Sequence, residues 1–225
     1  MKTAVIVHGH HLQSAQWEHI VWGDPARGIY GRAAAGLREA LRFDAAFVIF
    51  GTGASFKDGM PEAEHARAIA HRRIHELPEF RHMSKEAAQA WLDAHTLTET
   101  TAQNTRTEIE ADARIALAQG CEALVLVSSP VHIMRAHKDA LAIFSHHPEL
   151  RVFLHNLFAV ASDVNYEHTR VDDVVIIEPH HRPDVEHVPF HKTLAGLVKF
   201  IRRPDLAHSL NKALKDVMDD YEKKL

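Results

Sequence analysis

Leu124-Val125-Leu126-Val127-Ser128-Ser129-Pro130-Val131-His132-Ile133-Met134-Arg135-Ala136 changes its period part-way through one stretch. The first four residues are apolar without alternation, as in a strand buried on both faces. A serine then stands where it can cap a helix, and Pro130 suits the first helical position, where its missing N–H costs nothing. Ala136, Ala140 and Ile143 follow at helical spacing and line a buried stripe. The segment reads as a strand that delivers the chain directly into a helix.

The same unit recurs on either side. Ala4–Val7 is a second doubly buried strand, ended by His8-Gly9-His10-His11, and Ala45–Phe50 is a third, closed by Gly51-Thr52-Gly53-Ala54-Ser55. Val152–Leu154 and Val174–Ile177 are further strand candidates. Between them the spacing predicts helices over Gly31–Leu41, from Pro61 to Leu77, over Lys85–His95 with Ser84 as cap, and over Gln103–Gln119 before Gly120. His11–Tyr30 has no clean period and carries Trp17 and Trp22, so it reads as a long loop. Leu206, Leu210, Leu214, Val217 and Tyr221 form the apolar face of an amphipathic helix over 205–225, which offers a surface for the body of the protein or for a homo-oligomer. Strands alternating with longer helices predict an α/β fold, a mainly parallel sheet with helices on both faces. Ligands bind such sheets beyond the carboxyl ends of the strands.

The 225 residues, 46% hydrophobic and 25% charged, have the balance of a folded chain and fit a single domain over 1–225. A net charge of -4 without a long basic run argues against nucleic acid as a partner. Ala4–Val7 is too short for a signal core or a membrane span, which predicts a cytoplasmic protein with no membrane partner. The lone Cys121 cannot form an internal disulfide and agrees with that compartment. The 20 histidines make the net charge steep just below neutral pH.

His132 lies in the first turn of the helix that follows Ser129, and Arg135 is three residues on, so both project to one side of a terminus whose free N–H groups attract an anion. A local account stands beside this one: Ser129 caps, Arg135 pairs with Asp139, and His132 bonds a neighbouring loop. Thr98-Glu99-Thr100-Thr101-Ala102-Gln103-Asn104 is dense in hydroxyls and amides before another helix, and Thr101 is the natural cap there. Gly51-Thr52-Gly53 has the glycines of a phosphate cradle but neither the lysine of a P-loop nor the third glycine of a dinucleotide fingerprint. Glu62 then falls in the first turn of the next helix. Ser128 or Ser129 sits where a nucleophile elbow would be, yet the flanking glycines are absent and Pro130 removes an oxyanion-hole N–H.

Four blocks together, Val5–Gly9, Gly51-Thr52-Gly53 with Pro61-Glu62-Ala63, Thr98-x-x-Thr101-x-x-Asn104 and Ser128–Ala136, resemble the YdcF-like family, which includes SanA and ElyC. The resemblance spans roughly residues 4–178. It implies a three-layer, Rossmann-like, doubly wound fold whose cleft is lined by Glu62, Thr101, Asn104, Ser128, His132 and Arg135. His8 and His10 stand where that family has a glycine-rich turn, Thr98 replaces a serine, and Gln103 replaces a glutamate.

The expected function is binding of a nucleotide-like or anionic small molecule, with S-adenosylmethionine the cofactor the resemblance brings in and phosphorylated metabolites the other class. His132, Arg135 and Glu62 are the expected catalytic groups of a transferase or hydrolase. His8, Gly9, His10, Gly51, Thr52, Gly53, Thr98, Thr101, Asn104, Ser128 and Ser129 are the expected ligand contacts. A non-catalytic metabolite-binding module and a metal-dependent phosphoesterase are the alternatives. His8, His10 and His11 could meet His180 and His181 over the sheet, and His187 and His191 are spaced by four, but no HExxH or cysteine pair defines a metal site and none is expected.

Overall fold

Val5 and Val7 point to one side of their strand and Ala4 and Ile6 to the other, and all four are buried, which requires a layer of helices on each face. A computed structural model describes residues 1–165, all within one compact unit, Met1–Glu167. The expected strand at Val174–Ile177, the helix over 205–225, and His180, His181, His187 and His191 lie outside the described residues.

The central sheet holds β1 (Thr3–Val7), β2 (Phe47–Phe50), β3 (Thr96–Thr98), β4 (Ala123–Ser128) and β5 (Leu157–Ala161) in the order β3-β2-β1-β4-β5. Every pairing is parallel; Val7 lies opposite Phe50 on one side and Val127 on the other. The helices are α1 (Trp17–Val21), α2 (Arg32–Arg42), α3 (Glu62–Arg73), α4 (Lys85–His95), α5 (Thr105–Ala118) and α6 (Pro130–His146). Val5, Val7, Val48 and Val127 pack with α2, α3 and α4 in one core layer, while Ala4, Ile6, Ile49 and Leu126 pack with α5 and α6 in the other. This is the three-layer, doubly wound, Rossmann-like α/β arrangement. Its strand order reverses between β1 and β4, where such sheets open a crevice.

Three local expectations change. Val152–Leu154 is not a strand: Pro148–His155 is a 3-10 helix. Leu150 and Phe153, three apart, bury one side of it, and Phe153 meets Phe144 of α6 with ring centroids 5.6 Å apart. The strand follows it, at Leu157–Ala161. Thr96–Thr98 adds a strand with too few apolar residues to be read from pattern. His11–Tyr30 is a packed segment rather than an open loop, with α1 and a small hairpin of Gly23–Asp24 and Ile29–Tyr30. Trp22 is fully buried, its Nε1 donating to Glu76 at 3.1 Å, and Trp17 Nε1 donates to the His10 carbonyl at 2.7 Å.

Candidate functional site

The ladder of β1 continues past its end: His8 N donates to Val127 O at 3.0 Å and Gly51 N to Val7 O at 3.1 Å. The turns after β1, β2 and β4 are thereby brought to one rim. Arg32, the first residue of α2, is buried among them and fixes their relation. Its Nε donates to Ser129 Oγ at 2.8 Å, and its Nη1 donates to the His8 carbonyl at 3.3 Å and to the Gly9 carbonyl. Ser129 is the residue before α6, yet its hydroxyl makes no capping bond. The arginine has claimed it.

Gly9 runs between two buried carboxyl groups. A β-carbon there would lie 2.0 Å from Glu62 Oε1 and 2.8 Å from the Gly51 carbonyl oxygen, and one on Gly51 would lie 2.2 Å from Glu108 Oε1, so a side chain at either position would displace a buried carboxyl group. Glu108, one turn into α5, accepts a hydrogen bond from Gly9 N at 3.1 Å through Oε1 and sets Oε2 3.2 Å from His8 Nδ1. Glu62, the first residue of α3, accepts from Ser55 Oγ, which in turn accepts from Leu12 N at 3.0 Å. Burial pushes the Glu62 carboxyl up to about 7; Ser55 and Arg32 pull it down, and Glu108 pushes it further up.

His132 stands across from His8, ring centroids 5.4 Å apart and edge to face. Its Nδ1 is 2.8 Å from Ser128 Oγ; its Nε2 is 3.1 Å from Thr105 Oγ1 and 2.9 Å from Arg135 Nη2, which also donates to Thr105 Oγ1 at 2.7 Å. A guanidinium only donates, so Nε2 accepts and the proton of the neutral ring sits on Nδ1, facing Ser128. Burial holds this imidazole well below its usual range, and the charges of Arg32, His8, Arg135 and His10 add to that. His10 is lowered to about 3, first by burial and then by Arg32 and His11. Ser128 is fully buried beneath this cluster.

The remaining expected contacts are engaged in bonds among the segments that follow β2 and β3. Thr52 Oγ1 and Gly53 N both donate to the Ala102 carbonyl, the latter at 3.1 Å, and Gln103 Nε2 donates to the Gly53 carbonyl at 3.0 Å. Thr98 donates to Glu64 at 2.7 Å and so is tied to α3. Thr101 does not cap α5; its hydroxyl donates to Glu99, and Asn104 is the cap, its side chain accepting from Arg106 N and Thr107 N, each at 3.1 Å. Glu99, Arg32, Thr105 and Glu108 were not among the expected site residues. For Glu108 a signal existed, a carboxylate one turn into a helix that opens at the rim. Arg32 offered none, because its partners, the Ser129 hydroxyl and the His8 and Gly9 carbonyls, lie far away in sequence. One turn beyond Glu108, Asp112 is fully buried, and neither carboxyl oxygen has a hydrogen-bond partner among the described residues. Burial, then Glu108 and Glu99, raise it well above the usual carboxylate range.

Among the described residues no group of three or more His, Cys, Asp or Glu side chains is placed to hold a metal ion, and His11 is exposed at the surface. No helix among them is long and apolar enough to cross a membrane. No protein-family model matches the chain, and no curated protein or solved structure matches it either.

Proposed function

We propose that the crevice beyond β1 and β4 binds an anionic, nucleotide-like small molecule and acts on it by group transfer or hydrolysis. The observation that carries this reading is the convergence of Arg135, His132 and Thr105 at the starts of α5 and α6, joined through the His8–Gly9 turn to Glu62, a carboxyl that gains and loses its proton near neutral pH. Arg135 and the helix starts supply positive potential for a phosphate or carboxylate. Glu62 is the better proton donor and acceptor, since its affinity is matched to neutral pH. His132, neutral and engaged at both nitrogens, orients Arg135 and Ser128. S-adenosylmethionine and phosphorylated metabolites are the ligand classes that suit this pairing; the Glu62 carboxyl would meet ribose hydroxyls and the helix starts the ligand's acidic end.

A ligand present at a hundred times its Kd stabilises a fold by about 2.7 kcal/mol, equivalent to a rise of roughly 5–10 °C in Tm at this size. A thermal-shift series with adenosine triphosphate, S-adenosylmethionine and sugar phosphates should show such a rise for one class, reduced in Arg135→Gln. Chromatography of the same mixtures then separates an enzyme, which converts the ligand, from a binding module, which returns it intact. No shift with any class would end the reading.

A further inference from the structure

His132 has both ring nitrogens occupied, whereas His8 has one nitrogen facing a carboxylate and the other unclaimed. His8 is buried, and neither ring nitrogen makes a hydrogen bond of good geometry among the described residues, although only Nδ1 has a charged group beside it. Its Nδ1 lies 3.2 Å from Glu108 Oε2 without the alignment of a hydrogen bond, and a small turn of the ring that brings the two into line puts the proton on Nδ1, because two facing lone pairs would repel. Glu108 is itself held by Gly9 N at 3.1 Å. The lone pair of the neutral ring is thereby placed on Nε2. A buried nitrogen without a partner is costly and calls for a water or a ligand group.

From this geometry we infer that His8 Nε2 is the proton acceptor for the attacking water or hydroxyl, with Glu108 as the positioning residue that fixes its tautomer. A carboxylate on one imidazole nitrogen and a nucleophile on the other is the division of labour found in hydrolytic triads. The inference rests on the crevice being the site of the proposed reaction, and it names the nucleophile as the group that completes the site. For a bound phosphoester the step balances as follows. The O–H proton of water passes to Nε2, the oxygen bonds to phosphorus, the bond from phosphorus to the leaving oxygen breaks, and that oxygen takes the proton held by Glu62. The imidazolium, stabilised by Glu108, then returns a proton to solvent and Glu62 regains one. Ser128 is not the nucleophile, since its hydroxyl faces the N–H of His132.

Nitrogen-15 spectra of the ring nitrogens in histidine-labelled full-length protein near pH 7.5 test this. His8 should show a protonated Nδ1 and an unprotonated Nε2, with inorganic phosphate as the added probe moving the Nε2 resonance. In Glu108→Gln the single tautomer should give way to a mixture while His132 keeps its own, a response that loss of packing alone would not produce. An independent crystal structure of the wild-type chain should place a water 2.7–3.2 Å from Nε2. A protonated Nε2 in the wild-type ring, or an Nε2 packed dry against carbon, overturns the inference. Ligand-induced thermal shifts combined with a protonated Nε2 would sink the dyad and spare the binding reading; absence of any shift would sink that reading whatever the tautomer.

Discussion

Burial acts on Glu62 and His10 in opposite senses, because the same loss of water penalises an anion in one and a cation in the other. Glu62 keeps its proton in the fold to about pH 7, while the unfolded chain releases it near 4.5. The folded state therefore holds more protons than the unfolded one between those values, and stability from this group is full below pH 4.5 and falls as pH rises to 7. At about 1.4 kcal/mol per pH unit of separation, the fall amounts to about 3 kcal/mol. Glu62→Gln keeps an oxygen to accept from Ser55 and removes the titration. Urea unfolding at pH 4.5 and pH 7.5 should show the wild-type chain losing about 3 kcal/mol more than the variant across that interval. Equal losses in the two proteins would mean that Glu62 ionises in the fold as readily as in the unfolded chain.

Among the elements, α5 shows how a residue expected at a ligand can serve its own helix. Asn104 accepts two backbone N–H groups at the helix start, and Thr107 completes a capping box with it, so Asn104→Ala should cost about 1 kcal/mol in a denaturant titration. Thr101→Ala should cost less, its hydroxyl donating to Glu99 and to no other group among the described residues. A stability loss in Asn104→Ala with ligand-induced thermal shifts intact would assign the residue to the fold alone. The same contrast marks what could be read in advance. Ala4–Val7 and Leu124–Val127 are buried on both faces, so their apolar runs carry the sheet. Thr96–Thr98 is a short strand of mixed burial, and its place comes from pairing with β2. Val152–Leu154 has strand-like residues, but the buried pair three apart favours a tight helical turn. His132 and Arg135 were legible because helical spacing alone joins them. Glu108, Arg32 and Thr105 were not, because long-range contacts define their roles and local pattern does not encode those.

Across the whole molecule, 20 histidines make the net charge steep in acid, but stability responds only to differences in proton binding between the folded and unfolded chain. His10 and His132 are held neutral in the fold, so their contribution is full above pH 6.5 and is lost as pH falls towards their depressed folded values. Each costs about 1.4 kcal/mol per pH unit on the way down. Glu62 and Asp112 run the other way, because the fold keeps their protons while the unfolded chain sheds them. As pH falls below 6.5 the losses from the histidines run against the gains from the carboxyls, so Glu62 offsets part of the decline down to pH 4.5. Below 4.5 the gain from Glu62 ends, and below 3.8 that from Asp112, whereas His10 continues to titrate down to about 3. The expected profile is shallower near neutrality than below pH 4.5. Urea midpoints every half unit from pH 7 to 3.5 would trace it, and between pH 6.5 and 4.5 the decline in Glu62→Gln should be steeper than in the wild-type chain by about 1.4 kcal/mol per unit. Parallel declines in the two proteins would show that Glu62 releases its proton inside the fold, and the acid–base role given to it would fall.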